Sequence, residues 1–162
     1  MNDVVLCLGS NLGDRLPNLN AAIQYLKALP CTVVKKSSVY ETAAWGNTNQ
    51  PSFYNQVIEV QTQLDPASLM NEILSIEKKM GRMRNQKWEP RIIDIDILFF
   101  NEDIVHSHHL TIPHLHLQER RFVLEPLNEI LPLKIHPLLK RPVASLLAEL
   151  SGNDKVEKIK TA

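Results

Sequence analysis

Residues 90–100 place two carboxylates inside an otherwise apolar segment, and this pattern restricts the folds open to the chain. The segment reads Pro-Arg-Ile-Ile-Asp-Ile-Asp-Ile-Leu-Phe-Phe, and its β-branched and aromatic residues are typical of a buried strand. Alternate side chains of a strand share a face, so Asp94 and Asp96 point one way and the neighbouring isoleucines point the other. The segment is therefore expected to form a strand with one core face and one acidic face.

The acidic face predicts a cation site. Same-face neighbours lie about 6–7 Å apart along a strand, so Asp94 and Asp96 can converge on one divalent cation or on a pair of cations. Without a cation the two carboxylates would repel each other. The alternative is a polar face that is only solvated, as in many sheets with one face toward water.

The segment before this strand is basic. Residues 81–91 carry four cations and an indole, namely Arg82, Arg84, Lys87, Trp88 and Arg91. Guanidinium groups bind phosphate oxygens through paired donors, and Mg²⁺ prefers carboxylates together with substrate phosphates. A basic loop that leads into an acidic strand predicts a metal–polyphosphate site, the alternative being a solvated loop whose arginines pair with surface acids.

Chain length and charge restrict the function classes. The 162 residues fit a single domain, 1–162, with a polar and frayed tail at 151–162. A net charge of +0 argues against a nucleic-acid partner held by bulk electrostatics. Two cysteines without metal-binding spacing, no secretory leader and no apolar run of membrane-spanning length predict a soluble cytoplasmic protein.

The hydrophobic periodicity alternates between strand and helix. Apolar and β-branched runs predict strands at 4–9, 32–42, 53–64 and 91–100, and stripes at spacings of three and four predict helices at 16–29 and 66–81. Asp65 before Pro66 is a typical helix start. Short edge segments at 104–105 and 110–112 and helices at 123–131 and 143–150 follow. The order β-α-β-β-α-β predicts an α+β, ferredoxin-like antiparallel sheet with helices packed on it and extra C-terminal helices.

From residue 9 to about residue 127 the chain resembles the 6-hydroxymethyl-7,8-dihydropterin pyrophosphokinase family. The resemblance rests on the Asp-Ile-Asp block and on seven other blocks in order: Leu-Gly-Ser-Asn-Leu-Gly-Asp (8–14), Ser-Val-Tyr-Glu-Thr (38–42), Gln-Pro-Ser-Phe-Tyr-Asn (50–55), Gly-Arg-Met-Arg (81–84), Trp-Glu-Pro-Arg (88–91), Leu-Thr-Ile-Pro-His (110–114) and Arg-Arg-Phe (120–122). It implies transfer of the pyrophosphoryl group of ATP to the pterin hydroxymethyl group, with release of AMP, in folate biosynthesis.

The resemblance also implies site residues. Asp94 and Asp96 would ligate two Mg²⁺ ions at the phosphates, and Arg82 and Arg91 would act as catalytic cations there. The implied ATP-binding positions are Arg84, Trp88, Arg91, Ile97, Thr111, His114 and Arg120. Ala43 and Ala44 depart from the family pattern, and so do four further positions whose departure predicts weaker ATP binding: Leu74, Asn85, His109 and Leu115.

A pterin is a flat polar bicycle, so its pocket needs rings above and below and an amide at its edge. Phe53, Phe122 and Asn55 fit this need, because aromatic stacking adds about 0.5–1.5 kcal/mol per pair and an amide both donates and accepts. The resemblance adds Thr42 and Trp45 to the pocket wall. The alternative is that both phenylalanines are ordinary core residues.

Two other function classes remain open from the residues alone. A ferredoxin-like sheet can bind RNA, although the neutral charge and the absence of an RNP-type aromatic run argue against it. It can also form a non-catalytic small-ligand regulatory domain, which would not need the aspartate pair. The expected partners are ATP and the dihydropterin, with no nucleic acid or membrane, and the expected state is a monomer.

Overall fold

The structure is a computed structural model that describes residues 1–42, 51–81, 91–152 and 155–160. Its strands are β1 Asn2–Ser10, β2 Cys31–Lys36, β3 Tyr40–Thr42, β4 Phe53–Thr62, β5 Asp94–Phe100, β6 Val105–His106, β7 Thr111–Ile112 and β8 Val156–Lys158. Its α-helices are α1 Arg15–Lys27, α2 Pro66–Lys79, α3 Arg121–Ile130 and α4 Val143–Glu149, and a 3-10 helix spans Leu117–Glu119.

An antiparallel sheet forms the centre of the protein. Its strand order is β5-β1-β4-β3-β8, and β2 also pairs with β4. β1 is central because both its neighbours pair along most of its length, with Val4–Leu8 at 6% exposure or less. The ferredoxin-like class is confirmed, and the observed order matches the predicted β-α-β-β-α-β when β2 and β3 are counted as the one strand predicted at 32–42.

Helices cover both faces of the sheet. One buried cluster joins Leu6 and Leu8 of β1 to the apolar stripes of α1 and α2. A second cluster joins Val5 and Cys7 of β1 to α3 and α4. The two faces of β1 are therefore both core over this stretch, since alternate residues of one strand contribute to each cluster.

The edge of the sheet differs from the prediction. The segment 32–42, predicted as one strand, is two strands, β2 and β3, separated at Ser37. Ser37 interrupts the ladder because its Oγ accepts a hydrogen bond from the Val57 N–H at 3.0 Å, while its own N–H donates to the Val57 carbonyl at 2.9 Å. Cys31, one residue before the predicted strand, is buried and begins β2.

The polar segment after residue 150 also differs from the prediction. The prediction that 151–162 is frayed is wrong for Val156–Lys158, which form β8 and pair with β3. The Ile159 N–H continues the contact by donating to the Val39 carbonyl at 2.9 Å. Two apolar residues in a polar sequence, Val156 and Ile159, were the available signal for this strand.

The start of α2 matches the sequence prediction. Asp65 precedes Pro66, and its carboxylate accepts a hydrogen bond from the Ser68 N–H at 2.8 Å. Among the described residues, none of the helices combines the length and the apolar character that a bilayer crossing requires.

Candidate active site

The two aspartates lie on one face at the start of β5. The side chains of Asp94 and Asp96 are 22% and 40% exposed, whereas the Ile95 and Ile97 residues are 2% and 3% exposed in the core against α1 and α2. The predicted alternation of an acidic face and a core face is confirmed. Leu98 lies on the same face as the two aspartates and is buried against α3 and α4. These helices therefore cover the acidic face further along the strand.

Gly9 of β1 lies between the acidic strand and β4. It is paired with Asp94 on one side and with Asn55 on the other. Directly paired residues of an antiparallel sheet point to the same face, so Asn55 and Asp94 flank Gly9 across about 10 Å, which is two strand spacings. A Cβ at Gly9 would lie 2.8 Å from Asn55 Oδ1 and 3.7 Å from Phe53 Cδ1. The missing side chain therefore leaves the space in which Asn55 lies.

The predicted pterin residues that the structure describes lie around this point. Asn55 is 4% exposed, and its Nδ2 is a buried donor without a hydrogen-bond partner among the described residues. Thr42 is 8% exposed and is paired with Phe53. Phe122 is half-buried in the first turn of α3, against the same side of the sheet. An amide with an unused donor, near the Phe53 ring, can bind the edge of a heterocycle.

Arg91 is held beside the aspartates. Its NH1 group donates to Asp94 Oδ2 at 3.0 Å, and both side chains are about three-quarters buried, at 25% and 22% exposure. Its backbone is fixed by Asn11, whose Oδ1 accepts from the Arg91 N–H at 2.6 Å. The guanidinium keeps further donors, which can bind a phosphate oxygen next to the carboxylate.

His114 faces Asp96 from the segment after β7. The distance from His114 Nε2 to Asp96 Oδ2 is 4.0 Å. Burial lowers the pKa of His114 to about 4, with further lowering from the charges of Arg120 and His116, so the ring is neutral at pH 7 and the contact is not an ion pair. Because the His116 N–H donates to His114 Nδ1 at 3.2 Å, the ring proton is assigned to Nε2, on the aspartate side.

Glu77 is a functional candidate that the sequence reasoning missed. It is 1% exposed on α2, and its carboxylate accepts a hydrogen bond from the Ile95 N–H at 2.8 Å. Ile95 separates the two aspartates, so this bond fixes the backbone on which both stand. The available signal was a glutamate within the apolar stripe of α2, four residues after Ile73.

The donor set suits magnesium. Two half-buried carboxylates offer hard oxygen ligands, and Mg²⁺ takes its remaining ligands from phosphates and water. No group of three His, Cys, Asp or Glu side chains with metal-binding geometry occurs in 1–42, 51–81, 91–152 and 155–160. Cys7, paired with Asp96, adds no ligand, because burial raises the pKa of its thiol far above the ordinary value and both aspartates raise it further.

Some predicted residues are not brought to this face, and others lie outside the described residues. The Ile97 side chain is in the core against α1 and α2, so only its backbone could contact a nucleotide. Thr111 is half-buried on the short β6–β7 ribbon, and Arg120 caps α3 close enough to His114 to affect its pKa. The predicted positions outside the described residues are Trp45, Arg82, Arg84 and Trp88.

Comparisons with known proteins agree on one family. The family model described as 7,8-dihydro-6-hydroxymethylpterin-pyrophosphokinase matches residues 5–132. A 2-amino-4-hydroxy-6-hydroxymethyldihydropteridine pyrophosphokinase of Aquifex aeolicus is 41% identical over 149 residues, which is 92% of each chain. The enzyme of the same name from Methylorubrum extorquens is 41% identical over 160 residues, covering 97% of this chain and 100% of the relative.

Solved structures share the fold. A crystal structure of an HPPK-DHPS protein in complex with substrates has a TM-score of 0.71 at 18% identity, over 91% of this chain and 43% of that chain. The Plasmodium falciparum HPPK-DHPS with pteroate has a TM-score of 0.74 at 20% identity, over 91% and 42%. This chain thus spans less than half the length of these solved proteins.

Proposed function

The chain belongs to the 7,8-dihydro-6-hydroxymethylpterin-pyrophosphokinase family, and we propose that it carries out the family reaction on the sheet face that holds Asn55 and Asp94. It is an ATP-dependent enzyme that transfers the pyrophosphoryl group to the hydroxymethyl group of 6-hydroxymethyl-7,8-dihydropterin, in folate biosynthesis. A bond forms between the hydroxymethyl oxygen and the β-phosphorus, and the bond from that phosphorus to the oxygen bridging to the α-phosphate breaks. AMP leaves with that oxygen.

The single observation that carries the assignment to this face is the position of Gly9. It is paired with the amide residue Asn55 on one side and with the carboxylate residue Asp94 on the other. A pterin held at Asn55 and a triphosphate held at Asp94 would therefore meet across one strand, and a gap of about 10 Å accommodates a hydroxymethyl group and the reacting phosphates.

On the nucleotide side, Asp94 and Asp96 would hold two magnesium ions. Their positive charge would offset the negative charge of the phosphates. Arg91 is already oriented by Asp94, so its guanidinium reaches the phosphates with little reorganisation. The neutral His114 ring can donate a hydrogen bond from Nε2, and Arg120 supplies a further cation.

On the pterin side, the unused Nδ2 donor of Asn55 supports an edge contact with the heterocycle. Phe53 and Phe122 stack on the two faces of the pterin ring, and Thr42, which is paired with Phe53, forms the adjacent part of the pocket wall. A buried donor without a partner costs about 1–3 kcal/mol, so a ligand acceptor at this position is strongly favoured. Trp45, Arg82, Arg84 and Trp88 keep their predicted roles as pterin, catalytic and ATP contacts, and the weaker ATP binding also remains a prediction.

The chain works as a monomer in the cytoplasm. Cys7 and Cys31 are free thiols, which supports a reducing compartment.

The test is AMP release from ATP and Mg²⁺, measured with and without 6-hydroxymethyl-7,8-dihydropterin. We expect release to depend strictly on both the pterin and the metal. Release without the pterin would indicate a hydrolase, and no release with all three components would contradict the proposed function.

A further inference from the structure

We propose that Asn11 is a positioning residue that couples the dihydropterin side of the site, at Asn55, to its nucleotide side, at Asp94, an inference that rests on the proposed function. Asn11 follows the end of β1 by one residue and is 1% exposed. Its backbone and side chain bond to Arg91, three residues before Asp94, and to Pro51, four residues before Asn55.

The contact with Arg91 is double. The Asn11 N–H donates to the Arg91 carbonyl at 3.0 Å, and the Arg91 N–H donates to Asn11 Oδ1 at 2.6 Å. Arg91 then donates from NH1 to Asp94 Oδ2 at 3.0 Å. Asn11 therefore holds the backbone of Arg91, and Asp94 holds its guanidinium group.

The contact with Pro51 reaches the other side. Asn11 Nδ2 donates to the Pro51 carbonyl at 3.2 Å, and Pro51 precedes Phe53, the first residue of β4, by two residues. The intervening Ser52 is held by Arg15, whose NH1 group lies 2.7 Å from the serine hydroxyl and 3.0 Å from its carbonyl. The backbone that leads into Phe53 is therefore held at Pro51 by Asn11 and at Ser52 by Arg15.

The amide of Asn11 makes both contacts at once. Oδ1 must accept from Arg91 while Nδ2 donates to Pro51, and asparagine carries both functions on one rigid plane. At 1% exposure, water does not readily replace either partner. If bound phosphates displace Arg91, the amide plane of Asn11 must move with it or a buried hydrogen bond must break. The same plane holds Pro51, so binding on one side changes the free energy of binding on the other.

The experiment compares pterin affinity with and without an unreactive ATP analogue plus Mg²⁺, by calorimetry, in three proteins. These are the unaltered chain, Asn11→Ala and the matched control Asn18→Ala. Asn18, in the first turn of α1, is also an amide donor, and among the described residues its Nδ2 donates to Ser10 Oγ at 3.1 Å and to the Leu12 carbonyl at 2.8 Å. Neither partner belongs to the segments that contain Pro51 and Arg91.

We expect the analogue to raise pterin affinity in the unaltered chain and in Asn18→Ala by the same factor, at least about fivefold. In Asn11→Ala that factor should fall toward one. A second variant, Asn11→Asp, keeps the acceptor for Arg91 but loses the donor to Pro51, and it should also lose the enhancement. A structural role alone would lower the melting temperature without changing the ratio of the two affinities.

An enhancement in Asn11→Ala or Asn11→Asp equal to that of Asn18→Ala would overturn the inference, and so would no enhancement in the unaltered chain. Unfolding of both Asn11 variants under conditions where Asn18→Ala is folded would also overturn it, because Asn11 would then be a structural residue. Failure of the proposed function is distinguished by the unaltered chain releasing no AMP in the presence of ATP, Mg²⁺ and pterin.

Discussion

Replacing Gly9 by alanine tests the position of the pterin-side amide most directly. The new Cβ would lie 2.8 Å from Asn55 Oδ1, whereas ordinary contact begins at 3.4 Å, so the amide must withdraw by the difference, about 0.6 Å. Gly9 lies within β1, between two paired strands, so its backbone cannot move away without breaking two ladders. The side chain of Asn55 must therefore give way.

The cost follows from the hydrogen bond that Asn55 would make. Loss of one buried hydrogen bond is worth about 1–3 kcal/mol, which corresponds to about a 5- to 150-fold weaker affinity for the dihydropterin. The KM for ATP should change much less, because Asp94 lies on the other side of Gly9 and the clash is with Asn55. The assay is steady-state AMP release with each substrate varied in turn.

A double-mutant cycle supplies the control. In Asn55→Ala the atom that clashes is gone, so adding Gly9→Ala should weaken pterin affinity little further. Two refuting results are possible: Gly9→Ala with unchanged pterin KM, or Gly9→Ala and Asn55→Ala with additive effects. Either would show that the amide is not placed by the missing side chain.

Three further perturbations follow from the structure. Asp96→Ala should lower turnover about 100-fold or more while Asp103→Ala, an exposed carboxylate, leaves it unchanged; equal turnover in the two variants would exclude the metal role. Tyr40→Phe removes the 2.6 Å hydrogen bond from the tyrosine hydroxyl to Glu129 Oε1, and urea unfolding should show a loss of about 1.5 kcal/mol. Burial lowers the pKa of His136 below its ordinary 6.5, so His136 is protonated at higher pH in the unfolded chain than in the folded one. The neutral ring therefore contributes its full stability above pH 6.5, and this contribution is lost as pH falls below that value. Unfolding free energies at about pH 7.5 and about pH 5.5 should therefore differ less in His136→Asn than in the unaltered chain, and an equal difference would contradict the argument.

Local patterns in the sequence predicted the elements and part of the chemistry. The order of strands and helices followed from periodicity, because each amphipathic face is determined by residues close together in the chain. The faces of Asp94 and Asp96 were predicted for the same reason. The break at Ser37 and the strand at Val156–Lys158 were not predicted, since both depend on a pairing partner that is distant in sequence.

The sequence by itself determined which residues could carry the chemistry: two aspartates on one strand face, an arginine close before them and an asparagine that follows two aromatic residues. Only the tertiary structure decided that these groups meet. β1 pairs with both β4 and β5, which places Gly9 between Asn55 and Asp94. Asn11 and Glu77 act through backbone N–H groups of distant residues, so no pattern of side chains could reveal them. Strand register is a long-range property, because it is set by pairing and packing across the sheet and not by the residues of one strand.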